Sequence, residues 1–243
     1  MMFRVARSRE GTEITHYDLY KVDLRKGMTV LDVLFQIQDY MDESLAFRYS
    51  CRGAVCGSCA MLVNKMPVLA CRSQVSSLQK ASSNLKPFAA LTDAPTGWNP
   101  ESEVLVEPLP NLPILKDLVV DMTRFYDALE SLKLWGEPAK GDQPRVQSPA
   151  ERKKIERYVN CIMCALCFGS CPINAERGEY LGPAALAKSW RFYEDSRMDD
   201  SNRYLEGAKA ASGSPLCDLI YNCVKVCPKG VAPGGAIRKI KGL

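Results

Sequence analysis

Histidine is nearly absent from this 243-residue chain, which has His16 alone. There is also no Gly-rich dinucleotide fingerprint, no Walker loop and no nucleophile-base pair. Without these the chain has no means of activating an organic substrate unaided. No apolar run approaches the ~20 residues of a membrane-spanning helix, so any membrane contact is expected to be peripheral. Net charge is only +4 and no basic run is interleaved with aromatics, which excludes nucleic acid as an expected partner. The segment from Met1 to Glu10 lacks the apolar core and cleavage site of a signal peptide, and a reducing compartment is expected. A content of 47% hydrophobic and 25% charged residues is that of an ordinary globular protein, long enough for two small domains.

Cysteine, by contrast, is abundant, with eleven residues. The stretch Cys161-Ile-Met-Cys164-Ala-Leu-Cys167-Phe-Gly-Ser-Cys171-Pro172 has the CxxCxxCxxxCP spacing of a cubane iron-sulfur cluster. In that motif three thiolates wrap one cluster, and the fourth, followed by proline, starts a helix away from it and ligates a second. A partner motif is therefore expected downstream, and Cys217, Cys223 and Cys227-Pro228 supply it. Ile220 stands where the template has its middle cysteine, so one cluster is a ligand short. Exchange of the fourth cysteines gives Cys161, Cys164, Cys167 and Cys227 to a [4Fe-4S] cluster and Cys171, Cys217 and Cys223 to the other. Three thiolates suit [3Fe-4S]. A zinc knuckle would need paired CxxC or CxxH units, and His16 lies far away in sequence.

The N-terminal half carries Cys51-Arg52-Gly53-Ala54-Val55-Cys56-Gly57-Ser58-Cys59 and then Cys71. That is the spacing by which plant-type ferredoxins hold [2Fe-2S]. Gly53 and Gly57 are expected to supply the positive φ of a tight loop and to bring backbone N–H groups close to sulfur. Four, four and three ligands use every cysteine.

Around these motifs, residues 3–7 and 17–23 read as a β-hairpin turning near Glu10-Gly11-Thr12. Thr29 and Asp32 form a capping-box pattern ahead of a helix bearing Val30, Leu31, Leu34 and Ile37. Residues 61–63 and 68–71 flank a turn at Asn64-Lys65. Five prolines and Gly97 between Pro95 and Pro113 place a boundary there, giving domains 1–108 and 109–243. Leu115, Leu118, Val119, Met122, Phe125, Tyr126, Leu129 and Leu132 recur at helical spacing and predict a helix over 114–134. Residues 136–147 read as a Pro/Gly linker, and Ser148-Pro149-Ala150-Glu151 as the start of a helix leading to Cys161. Helices are also expected over 182–197 and 233–241. The last bears Arg238, Lys239 and Lys241 without acidic neighbours, which suits a solvated face or an anionic headgroup or ligand.

Such a chain moves single electrons between a donor and an acceptor. Its CRGAVCGSC segment with Cys71, its CIMCALCFGSCP and its CDLIYNCVKVCPKG together resemble the iron-sulfur subunits of fumarate reductases and succinate dehydrogenases. Residues 117–122, 181–184 and 194–197 also fall where that family has similar segments. The resemblance implies an α+β chain, with an N-terminal β-grasp plant-type [2Fe-2S] domain followed by an all-α bacterial-ferredoxin-like domain. It further implies a flavoprotein partner holding FAD, membrane-anchor subunits with or without haem b, and a quinone near the [3Fe-4S] cluster. The chain would then sit peripherally on the cytoplasmic face of the plasma membrane. Lys241, Pro172 and Ile220 are the cofactor-side candidates, Lys241 because the family has a quinone-contacting lysine on its final helix. Two departures stand out: a longer Pro-rich stretch around 92–104, and no tryptophan just after Pro172, which favours menaquinone over ubiquinone and leans toward fumarate reduction. The rival expectations are a soluble ferredoxin-type carrier, or the subunit of a thiol-dependent fumarate reductase or heterodisulfide-reductase-like complex.

Overall fold

The structure, a computed structural model, describes residues 1–8, 13–81, 93–136 and 144–243. By its contacts the chain divides into two compact units: Met1–Met122 with Cys164–Ser170, and Thr123–Met163 with Cys171–Leu243. The first unit is built on a five-stranded mixed sheet of order β2-β1-β5-β3-β4. Strands β1 (Met2–Arg7) and β2 (His16–Lys21) are antiparallel, with Met2 opposite Lys21 and Arg7 opposite His16. The expected turn at residues 10–12 lies outside the described residues. Helix α1 (Val30–Tyr40) begins at the anticipated capping box: the Asp32 amide donates to Thr29 Oγ1 at 3.2 Å and the Thr29 amide to Asp32 Oδ2 at 2.8 Å. It buries Val30, Leu31, Val33, Leu34 and Ile37, each worth about 1.5–3 kcal/mol when fully buried.

Strands β3 (Ala60–Val63) and β4 (Met66–Leu69) form a hairpin whose turn residues Asn64 and Lys65 both have positive φ, 49° and 63°. That is the geometry of a two-residue primed turn. After α2 (Val75–Ala81), β5 (Glu103–Glu107) enters the sheet centre, parallel to β1 and antiparallel to β3. Mixed sheet and helices make the chain α+β.

The expected helix over 114–134 is corrected. Residues 114–120 form instead a small hairpin, β6 (Ile114–Lys116) and β7 (Val119–Val120), and only α3 (Thr123–Ser131) is helical. Asp117 decides the matter. It turns the chain with φ 48°, and its carboxylate, 1% exposed, accepts from the Ser8 amide at 3.0 Å, the Ala46 amide at 2.9 Å and Arg7 Nε at 3.1 Å. A left-handed residue with three distant donors cannot sit inside a helix. These contacts also group residues 109–122, assigned from sequence to the second domain, with the first unit.

In the second unit α4 (Pro149–Val159) starts at the expected Ser148/Glu151 capping box and ends just before Cys161. It is followed by α6 (Pro172–Glu176), α7 (Gly182–Tyr193), α8 (Arg203–Lys209), a 3-10 turn at Ser214–Leu216, α9 (Asn222–Lys225) and α10 (Pro233–Lys241). The short α5 (Leu166–Gly169) belongs to the first unit, and Gly169 approaches Leu109 so closely that a Cβ would lie 2.6 Å from its side chain. Tyr158, Leu186, Trp190, Leu205, Ala236, Ile237 and Ile240 share one core in the second unit with Cys171 and Cys217. Asp195 is buried below α7 and paired with Arg197 at 2.7 Å and Arg191 at 3.0 Å. No described helix is long and apolar enough to cross a membrane.

Candidate metal centres

The first cysteine loop is wound around its own sulfur. The amides of Cys56, Val55 and Gly53 donate to Cys51 Sγ at 3.2, 3.3 and 3.4 Å, and the Cys51 amide approaches Cys56 Sγ at 3.5 Å. Those amides hold the Cys51 thiol down to about 6. The left-handed residues that aim them are Arg52 (φ 53°), Ala54 (φ 56°) and Gly57 (φ 77°). Gly53 itself has no positive φ, and a Cβ there would meet only ordinary contact, which corrects the role expected of it. Alternating left- and right-handed residues form a nest of N–H groups, a recurrent cradle for anionic clusters.

Cys59 and Cys71 come from the strands behind the loop. Cys59 precedes β3, Cys71 follows β4, and the Cys71 amide points at Cys59 Sγ at 3.5 Å. Burial pushes the Cys59 thiol up to about 12, with Cys71 and Cys56 adding to the rise. The backbone thus pairs Cys51 with Cys56 and Cys59 with Cys71. Arg52 lies over the Phe35 ring at 4.8 Å and near Tyr49 at 5.6 Å, while Tyr49 and Val55 are exposed.

The two C-terminal loops share one backbone pattern. Two and four residues after Cys161 stand Met163 (φ 52°) and Ala165 (φ 59°); two and four after Cys217 stand Leu219 (φ 56°) and Tyr221 (φ 64°). In each loop the second left-handed residue is the N-cap of a four-residue helix, α5 or α9. Ile220 thus occupies the conformational slot of Cys164, and it is half exposed at 48%. The Leu219 amide donates to Cys217 Sγ at 3.4 Å and the Val231 amide to Cys227 Sγ at 3.3 Å. Cys161 and Cys227 pack on the same core in the second unit, whereas Cys164 and Cys167 lie in the segment grouped with the first.

Cys171, Cys217 and Cys223 are all buried, at 8%, 8% and 7% exposure. Burial pushes Cys223 up to about 12 and raises Cys171; the neighbouring thiols add to both shifts, while the Gly234 amide opposes the first and the Asn174 and Ile173 amides the second. Cys171 stands at the N-cap of α6 with Pro172 as its first residue, as the motif predicts. Gly234, at the N-terminus of α10, comes so near that a Cβ would lie 2.7 Å from the Tyr221 ring. Tyr180, 2% exposed, is crowded by Cys217, Cys171 and Cys223, and burial and these thiols keep its phenol protonated. Lys241 is exposed at the end of α10 and reaches the Pro215 carbonyl at 3.5 Å, two residues before Cys217.

These donor sets fit iron-sulfur clusters: thiols that ionise on metal binding, surrounded by N–H groups that stabilise negative sulfur. Among the described residues no three His, Cys, Asp or Glu side chains converge tightly enough to hold a single metal ion, and a polynuclear cluster spreads its thiolates over several irons. Nothing local in the sequence singles out Tyr180, Gly234 or Arg52; each acquires its place through contacts with a distant segment. The Pro233-Gly-Gly run at a helix start was the one available signal for Gly234.

Residues 2–127 match the family described as a 2Fe-2S iron-sulfur cluster binding domain, and residues 158–231 match a 4Fe-4S dicluster domain. The fumarate reductase iron-sulfur subunit of Mycobacterium tuberculosis is 37% identical over 99% of this chain and 91% of its own length. That of Escherichia coli O6:H1 is 35% identical over 93% and 85%. The mitochondrial succinate dehydrogenase [ubiquinone] iron-sulfur subunit 1 of Oryza sativa subsp. japonica is 38% identical over 94% and 75%. A chain of the Mycobacterium smegmatis Sdh1 complex superposes with a TM-score of 0.83 over 99% of this chain and 93% of its own, at 22% identity.

Proposed function

This chain belongs to the family of fumarate reductase and succinate dehydrogenase iron-sulfur subunits, and from that premise we propose how its residues divide the work. It is an electron-transfer subunit of an oxidoreductase complex and carries [2Fe-2S] and [4Fe-4S] clusters. We assign Cys51, Cys56, Cys59 and Cys71 to the [2Fe-2S] cluster and Cys161, Cys164, Cys167 and Cys227 to the [4Fe-4S] cluster. Cys171, Cys217 and Cys223 hold a third, [3Fe-4S]. In this reading the first unit, with residues 1–122, is a β-grasp domain, and residues 123–243 supply the helical dicluster domain in place of the boundary at 108 expected from sequence.

The clusters supply one-electron storage; the chain supplies ligands, insulation and hydrogen-bond donors. The amides of Gly53, Val55 and Cys56 stabilise negative sulfur at Cys51, and Ile220 leaves the third cluster's open corner against hydrocarbon. The chain relays electrons between the FAD of a flavoprotein subunit and a quinone, held peripherally at the cytoplasmic membrane face by anchor subunits. Lys241 and Pro172 lie on the quinone side, with menaquinol and fumarate reduction favoured. The observation that carries the ligand assignment is the shared pattern of left-handed residues at Met163 and Ala165 and at Leu219 and Tyr221, which aligns Ile220 with Cys164.

Purification of the native complex tests the proposal. Flavin, quinone and about nine non-haem iron atoms per copy of this chain are expected, with a [2Fe-2S] EPR signal on reduction and a [3Fe-4S] signal on oxidation. Stoichiometric zinc with little iron, or a chain that purifies alone with full activity toward changing partners, refutes it.

A further inference from the structure

The Tyr180 hydroxyl is buried, its residue only 2% exposed, with no hydrogen bond of ordinary geometry among the described residues; the Cys217 thiol stands within interaction range of it. A phenol O–H is normally paired when its ring is buried, because an unpaired donor loses its water for nothing. Tyr180 shares one core with Cys171 and Cys217, and these thiols and Cys223 are near enough to act on its hydroxyl electrostatically; their thiolates or the bridging sulfides become acceptors when a cluster is in place. We propose that Tyr180 is a redox-positioning residue: its O–H donates to a sulfur of the cluster held by Cys171, Cys217 and Cys223, and so favours the reduced state.

The reasoning is electrostatic. Reduction adds one negative charge to a buried group, and a fixed O–H dipole aimed at that charge is worth more after the electron arrives than before. The phenol acts as a dipole, not as an acid. Chain geometry makes the position dependable: Tyr180 sits between α6 and α7, its amide bonded to the Arg177 carbonyl at 3.3 Å and the next amide, of Leu181, to the Ser212 carbonyl at 3.0 Å. Its ring belongs to the core that includes Cys171 and Cys217.

The inference rests on assigning a [3Fe-4S] cluster to those three cysteines, and the test separates the two ideas. In the complete complex, Tyr180→Phe keeps the ring and removes only the hydroxyl oxygen. Redox titration followed by EPR of the oxidised [3Fe-4S] signal is expected to show about a tenfold weaker hold on the electron, a shift of about 59 mV to lower potential. The [2Fe-2S] and [4Fe-4S] potentials should not move. An unchanged [3Fe-4S] potential overturns the inference, as does an equal shift of all three clusters or loss of the third cluster alone. Absence of any [3Fe-4S] signal from the unmodified complex overturns instead the ligand assignment beneath it. After exchange into D2O, pulsed EPR should also detect stronger deuteron coupling to the oxidised cluster in the unmodified complex than in Tyr180→Phe, the Leu219 amide at Cys217 contributing to both; equal coupling refutes the bond.

Discussion

Replacing Ile220 by cysteine restores the side chain that the second cysteine loop lacks, and the backbone is already shaped for it. Leu219 and Tyr221 have φ 56° and 64°, against 52° and 59° for Met163 and Ala165 around Cys164. The substitution costs little stability, because Ile220 is 48% exposed and at most about 1 kcal/mol of apolar burial is lost. If the absent thiolate alone sets nuclearity, Ile220→Cys should raise iron from about nine to about ten atoms per chain as [3Fe-4S] becomes [4Fe-4S]. Oxidised [3Fe-4S]+ with three thiolates and [4Fe-4S]2+ with four carry the same formal charge, so it is the change of cluster type that is expected to lower the potential, each 59 mV being about a tenfold bias against holding the electron. Quinone-linked turnover should slow while the chain stays folded. Iron analysis, EPR of the oxidised variant and quinol-linked turnover measure these effects together. An undiminished oxidised [3Fe-4S] signal with unchanged iron would refute the reasoning, and would mean that the loop holds residue 220 beyond thiolate reach of the open corner.

Other consequences follow from the same geometry. Arg7→Met should destabilise the first unit by roughly 3–5 kcal/mol, because Asp117, 1% exposed, would be left a buried carboxylate without a countercharge, held only by the Ser8 and Ala46 amides; a lower denaturant midpoint for bleaching of the [2Fe-2S] chromophore reads it. Asp42 is held below the usual carboxylate range by Ser44 and, further, by Arg7 and Tyr20 despite some burial, so its contribution is present above about pH 4 and lost as pH falls through its lower folded value. Acid titration should show that loss in wild type and a smaller one in Arg7→Met, where Ser44 and Tyr20 still hold Asp42. Gly234→Ala should cost about 1–3 kcal/mol by driving a Cβ to 2.7 Å from Tyr221 and should broaden or abolish the [3Fe-4S] signal. Gly235→Ala, with nothing within 4 Å, should be neutral or stabilising by up to about 1 kcal/mol. Lys241→Met should reduce quinone-linked turnover with all three EPR signals retained; unchanged turnover rejects its quinone role.

What could be read from the sequence was whatever is decided within a few residues. The capping boxes at Thr29/Asp32 and Ser148/Glu151 and the turn at Asn64-Lys65 each satisfy their own backbone locally, and the structure has them where expected. Residues 114–134 were illegible for the opposite reason. Leu115, Leu118, Val119 and Met122 fit a helical stripe, but Asp117 is claimed by Arg7, Ser8 and Ala46, at least 71 residues away in sequence, and those bonds need the turn that a helix forbids. The cysteine loops were legible by spacing and misread in detail. Glycine is the expected source of positive φ at residue 53, yet Arg52 and Ala54 carry it, because a nest needs alternating handedness and the sulfur-bound amides offset the cost of left-handed side-chain-bearing residues.

That exchange of strain for N–H donors bears on why one site does with three thiolates. In the first loop Cys51 and Cys56 are exposed, so negative sulfur is partly stabilised by water. Cys171, Cys217 and Cys223 are all buried, and there every thiolate must be stabilised by the protein alone, at a cost that rises as charges accumulate in low dielectric. In the proposed reading the chain meets that cost with donors, the Gly234 amide at the start of α10 and the Tyr180 hydroxyl, around a cluster whose open corner lies at Ile220. If donor and open corner act on the same cluster, their effects should not be independent: changing the cluster type with Ile220→Cys and removing the donor with Tyr180→Phe should together lower the potential, or disfavour assembly, by more than the two single changes combined. Additive shifts would show that the hydroxyl and the open corner act on different parts of the cluster, and the link drawn here between donor and open corner would fail.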